Sequence, residues 1–126
     1  MTIKRSTPDI EGMSAQLLRE NNISSLVAVG NLYFASGIVA YEGGDMAAQL
    51  TSIRRQITEL LATEQMTLAN IVTTISYTTD MQALLENGHV LFDAFKNGHP
   101  TSTYIEVKGL AMPDLLVEVV VTAAKV

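Results

Sequence analysis

Residues 115–124 form a nearly uninterrupted apolar run, broken only by Glu118 and Thr122. A short continuous run of this kind, following Pro113, reads as a strand buried on both faces. The rest of the chain must therefore supply layers that cover it. Residues 71–79 are dense in β-branched side chains and predict a second long strand. From Met46 the apolar positions fall at 46, 50, 53, 57, 60 and 61, the spacing of an amphipathic helix. Asp45 is the expected N-cap of that helix, which should end near Glu64. With 126 residues, 48% of them hydrophobic, the chain has enough apolar surface for one domain, expected to span residues 1–126.

The remaining elements are shorter. Residues 25–29 and 32–36 flank Gly30-Asn31 and predict a hairpin, with Gly37 ending its second strand. Thr79 and Gln82 have the spacing of a capping box. Beyond them Met81, Leu84, Leu85, Leu91, Phe92 and Phe95 keep helical spacing, although Asn87-Gly88 sits inside that stretch and weakens it. Residues 103–107 predict a fourth strand, and Gly109 and Pro113 bracket a turn. Residues 1–20 are polar, interrupted by Pro8 and Gly12, and are expected to be irregular. The order β-β-α-β-α-β-β reads as a small α+β sandwich with helices on one sheet face.

Composition narrows the functions. Thirteen acidic side chains against eight basic ones give a net charge of -5, which disfavours a nucleic-acid partner. No cysteine is present, so disulfides, thiolate catalysis and Cys-ligated metals are excluded. Two histidines without ligand spacing predict no metal site. No run of 18 apolar residues occurs and no apolar segment follows the charged start, so neither a membrane span nor a signal peptide is expected. The expected location is cytoplasmic.

Several segments occur in a telling order: Gly30-Asn31-Leu32-Tyr33-Phe34-Ala35-Ser36-Gly37, Ile71-Val72-Thr73-Thr74, Thr79-Asp80-Met81, Phe92-Asp93-Ala94-Phe95, His99-Pro100, Ile105-Glu106-Val107 and Val117-Glu118-Val119. Together they resemble the Rid family, also called YjgF/YER057c/UK114, over residues 25–124. The resemblance implies a chorismate-mutase-like α+β fold. It also implies a homotrimer with a central β-barrel, outer helices, and ligand clefts at the subunit interfaces. Well-studied members of that family hydrolyse reactive 2-imino and enamine acids to the 2-keto acid and ammonia, with no metal or cofactor of their own, and the resemblance implies the same chemistry here. Some have been described as translation inhibitors or endoribonucleases.

The deaminating members carry an arginine just inside the fourth strand, in the pattern Pro-Ala-Arg-Ser-x-Val-Glu-Val, where it clamps the substrate carboxylate. The matching stretch here is Pro100-Thr101-Ser102-Thr103-Tyr104-Ile105-Glu106-Val107, which puts Ser102 at the arginine position. No arginine follows Arg55, and Lys108 is taken as the nearest cation. A serine hydroxyl can donate one hydrogen bond but cannot neutralise a carboxylate.

By the same resemblance Glu118 is the carboxylate that positions or activates water, or else a glutamate on a solvated strand edge. His89 either faces the cleft as a proton carrier or lies on a helix surface. Ser36, Gly37 and Ile38 either line the cleft with their backbone amides or form a strand-ending bend. Ser102 and Tyr104 are cleft residues by position, Tyr104 alternatively packing between strands. His99 is expected to be a solvated turn residue, and Arg54, Arg55 and Glu59 a solvated helix face. The function expected is a small-molecule enzyme acting on an imine, enamine or related carbonyl compound, with standard 2-imino acid deamination placed in doubt by Ser102. The alternative is a trimer that binds a metabolite or a protein without turnover.

Overall fold

The apolar run at the end of the chain forms β6 (Val117–Ala124), which lies inside a six-stranded sheet between β3 (Leu32–Ala35) and β4 (Ile71–Thr78). The computed structural model describes residues 2–126. The sheet order is β1 (Ile3–Ser6), β2 (Leu26–Val29), β3, β6, β4 and β5 (Thr101–Glu106). Every pairing is antiparallel except β4 with β5, which is parallel. A parallel pair needs a long crossover, and the segment containing α3 (Met81–Asn87) and α4 (His89–Phe92) provides it.

Helix α2 (Met46–Ala62) begins as its sequence predicts: Asp45 Oδ1 accepts the Ala48 N–H at 2.8 Å. Its apolar stripe, Leu50, Ile53, Ile57, Leu60 and Leu61, is fully buried and shares one core with Val117, Val119, Val121 and Ala123 of β6. Each such side chain contributes roughly 1.5–3 kcal/mol by leaving water. Buried Gln49 ties the start of α2 to the segment that enters β6. Its Nε2 donates to the Gly44 and Asp114 carbonyls, and its Oε1 accepts the Leu116 N–H at 2.9 Å.

The hairpin of β2 and β3 turns at Gly30-Asn31, with Val29 opposite Leu32. Gly30 has φ 61° while Asn31 does not have a positive φ. A glycine with positive φ at the first of two turn positions is the II′ pattern, which explains why Gly precedes Asn here.

Four expectations change. The segment expected to be irregular is ordered over residues 2–20: β1 pairs with β2, and α1 (Ala15–Glu20) starts at Ser14, whose Oγ accepts the Leu17 N–H. Both elements are too short to signal themselves and are held by tertiary contacts, such as Arg19 donating to the Thr7 carbonyl at 2.6 Å. The cap of α3 is Asp80, whose Oδ1 accepts the Ala83 N–H, and not the Thr79–Gln82 pair. The helix after it is interrupted at Gly88, then resumes as α4 and a final 3-10 turn, Asp93–Phe95.

Finally, β6 buries only one face in the single chain. Residues 117, 119, 121 and 123 are buried, whereas Glu118, Val120, Thr122 and Ala124 are half-buried. The helices cover one side of the sheet and leave the other open, where Leu32, Phe34 and Ile105 are 44%, 45% and 39% exposed. Among the described residues no helix is long and apolar enough to cross a membrane.

Candidate functional site

Two clusters of chemically capable residues form, on opposite faces of the sheet. The first is built where β3 ends. Ile38 forms a backbone bridge with Val119: its N–H donates to the Val119 carbonyl at 2.9 Å and its carbonyl accepts the Val119 N–H at 3.0 Å. This bridge sets Gly37 beside Glu118. A Cβ on Gly37 would stand 2.6 Å from the Glu118 carboxyl carbon and 2.9 Å from its Cγ. Only glycine leaves room for the carboxylate to lie across the backbone. Burial raises the Glu118 pKa above the ordinary carboxylate value. No hydrogen bond from the described residues offsets that burial.

Ser36, Gly37 and Ile38 also line a hollow with Met13, Leu18 and Gln56. The Ser36 hydroxyl is already engaged, donating to the Ser24 carbonyl at 2.7 Å. Gln56 is buried and donates to the Val39 carbonyl at 2.9 Å. The amide and carbonyl of Ile38 are both consumed by the bridge to Val119. Of the three residues, Gly37 is the one left exposed.

The second cluster is on the helix-facing side of β5. Ser102 and Tyr104 pair with Thr74 and Ser76 of β4, whose side chains are buried under the helices. The Tyr104 ring tilts against Phe92, centroids 5.6 Å apart, and Phe92 meets Phe95 edge to face at 5.7 Å. The Tyr104 hydroxyl approaches Gly88, 3.3 Å from where a Cβ would stand. Gly88 thus both interrupts the helix and admits the phenol. Burial raises the Tyr104 pKa above its usual value. Ser76 Oγ lies buried nearby with no hydrogen-bond partner among the described residues.

Ser102 is exposed and opens onto a hollow of about 270 Å³, shared with Phe92, Phe95, Lys96, His99 and Pro100. His89 is exposed at the first position of α4. Lys96 is the residue that the sequence reading passed over in favour of Lys108. Both stand six positions from Ser102, and only the turn after α4 brings Lys96 back to the hollow.

His99 is exposed, as a turn residue, with Nε2 3.2 Å from the Lys96 carbonyl oxygen. Arg54 and Arg55 are more than a solvated face. Arg54 donates to the Val90 carbonyl, tying α2 to α4. Arg55 bridges Glu59 and the Glu11 carbonyl, each within 3.0 Å. No group of three His, Asp or Glu side chains among the described residues could hold a metal ion.

The Endoribonuclease L-PSP family model matches residues 13–125. The chain belongs to this family, also known as YjgF/UK114. A member of the YjgF/YER057c/UK114 family from Mycobacterium tuberculosis is similar over 98% of this chain and 100% of its own, at 29% identity and a TM-score of 0.83. A YjgF-family protein from Neisseria meningitidis shares 26% identity, TM-score 0.78, over 100% of this chain and 97% of its own. A putative endoribonuclease from Thermotoga maritima shares the fold at 21% identity, TM-score 0.73, covering 82% of this chain and 86% of its own. No curated protein matches the sequence.

Proposed function

We propose that this protein is an enzyme of the imine and enamine hydrolase type, working as a homotrimer. The observation that carries the reading is the Glu118 carboxyl, half-buried, lying across Gly37 with a raised pKa. A carboxyl group tuned towards neutrality suits proton transfer in both directions. Water adds to the C=N carbon and its proton passes to Glu118. Glu118 then returns the proton to nitrogen, and the C–N bond breaks as the C=O forms while the hydroxyl proton moves to the departing nitrogen, which leaves as ammonia. Gly37 contributes its exposed backbone beside the carboxylate, Ile38 and Ser36 hold that bend through their bonds to Val119 and Ser24, and Ser102 and Tyr104 bind substrate from the other cluster. His89 serves as a second proton carrier.

The two clusters lie on opposite faces of one sheet, so a single copy does not bring them together. A trimer with a central barrel lets one subunit's Glu118 face another's Ser102. The open sheet face with Leu32, Phe34 and Ile105 favours such assembly, because burying it removes apolar surface from water. No metal or cofactor is needed for these steps. The location that fits is the cytoplasm.

The test is 2-iminobutanoate generated in situ, with keto-acid formation followed against a buffer control. Acceleration that disappears in Glu118→Gln supports the reading, and no acceleration over buffer overturns it.

Ser102 favours a second reading, a trimer that binds a metabolite or a protein partner without turnover, because β5 offers no cation of its own to a carboxylate. A ligand recovered unchanged after raising the melting temperature points there. Ribonuclease activity, which the family description suggests, fits poorly with a net charge of -5.

A further inference from the structure

We propose that Asn97-Gly98, in the turn ahead of β5, is a self-modification site where the chain converts its own asparagine to aspartate and isoaspartate through a succinimide. The inference does not depend on the catalytic reading above.

The tripeptide Asn-Gly-His occurs twice, at residues 87–89 and 97–99. Both copies carry the same chemistry. A side-chain amide precedes a backbone nitrogen that no side chain shields. The fold separates them. Asn87 is half-buried at the end of α3, and its Nδ2 donates to the Ala83 carbonyl at 2.8 Å. Gly88 is buried and helical, with φ -56° and ψ -29°, and its carbonyl accepts the Phe92 N–H at 2.9 Å. Ring closure at Asn87 requires turning that peptide out of helical geometry and breaking those bonds. Asn97 has no such restraint. Lys96, Asn97, Gly98 and His99 are all exposed and line an open hollow that admits water. The Asn97 side chain makes no hydrogen bond among the described residues. The Gly98 N–H meets the Phe95 carbonyl only at 3.3 Å, longer than the usual distance of about 2.9–3.0 Å.

The Gly98 nitrogen gives up its proton and attacks Asn97 Cγ. The Cγ–Nδ2 bond breaks, Nδ2 takes up a proton and leaves as ammonia, and a succinimide remains. Water then opens the ring. Attack at Cγ yields aspartate, and attack at the main-chain carbonyl of residue 97 yields isoaspartate. In sum, one amide and one water become a carboxylate and ammonium, with no other reactant. The two reacting groups are already neighbours, which spares the entropy of bringing them together. The ammonium of the adjacent Lys96 favours the negative charge that develops during attack. Either product places a carboxylate beside Lys96 and His99, which also line the Ser102 hollow. Isoaspartate in addition lengthens the main chain by one carbon just ahead of β5.

The experiment incubates the full chain in mildly alkaline buffer, native and in urea, against a zero-time control. Trypsin cuts after Lys96, between the two sites, so each asparagine is read in its own peptide by mass and by separation of the aspartate and isoaspartate forms. In the native chain residue 97 should convert roughly tenfold or more faster than residue 87, because the helix must open first. In urea the two rates should converge. Gly98 does not have a positive φ, and a Cβ there meets nothing nearer than the Ala69 carbonyl at 4.0 Å. Gly98→Ala should therefore slow conversion at residue 97 with the melting temperature unchanged. Asn97→Gln, whose longer side chain closes the ring poorly, should end it. The proposal is overturned if residue 97 stays intact in the native chain, or if residue 87 converts there as fast. It is also overturned if the difference persists in urea, since the cause is then Glu86 against Lys96 and not the fold.

Discussion

The carboxyl carbon of Glu118 sits 2.6 Å from the point where a Cβ of residue 37 would stand. Gly37 does not have a positive φ, so alanine there meets no backbone strain, only the tip of a side chain that can swing away. Gly37→Ala should fold, melting within a few degrees of wild type, while displacing the carboxylate. Imine hydrolysis should fall at least tenfold, read as keto-acid release beside a melting curve. Full activity in a folded Gly37→Ala variant would show that the carboxylate's position does not matter.

Burial makes ionised Glu118 costlier in the folded chain than in the unfolded one. A carboxyl whose folded pKa is raised costs stability as pH rises through that pKa. Glu118→Gln removes the penalty. The variant should melt above wild type at pH 7–8, and the difference should vanish below about pH 4, where both states are protonated. Melting curves across this range check the sign. A variant less stable at pH 8 contradicts it.

Gln49 satisfies three backbone groups from inside the core. Leucine there would leave the Gly44 and Asp114 carbonyls and the Leu116 N–H without that partner. At roughly 1–3 kcal/mol for each buried group left unmade, Gln49→Leu should lose about 3 kcal/mol in urea denaturation. A loss under about 1 kcal/mol would mean that water or a small shift replaces the amide.

The open sheet face predicts association. Wild type should sediment as three copies at micromolar concentration, and Phe34→Glu, a charge on a ring already 45% exposed, should shift it towards monomer without unfolding the chain. A monomeric wild type removes the basis for a site shared between subunits.

Much of the scaffold was legible because its signals are local. The helical spacing from Met46, the Asp45 cap, the Gly30-Asn31 turn and the apolar β6 each depend on residues a few positions apart. The same local logic missed β1, a polar strand of four residues that exists because β2 offers it free backbone groups. It also assigned the α3 cap to Thr79 when the neighbouring Asp80 made the bond.

By itself the sequence determined the order of elements from β2 onward, the family, and the substitution of Ser102 where an arginine was expected. Tertiary structure alone decided which of these residues meet. Gly37 and Glu118 touch because an antiparallel bridge joins Ile38 to Val119, and Lys96 lines the same hollow as Ser102 because the chain turns back before β5. Ser102 and Glu118 stay apart because alternate strand residues point to opposite faces. Contacts of this kind come from sheet register between distant segments, which periodicity along the chain does not encode.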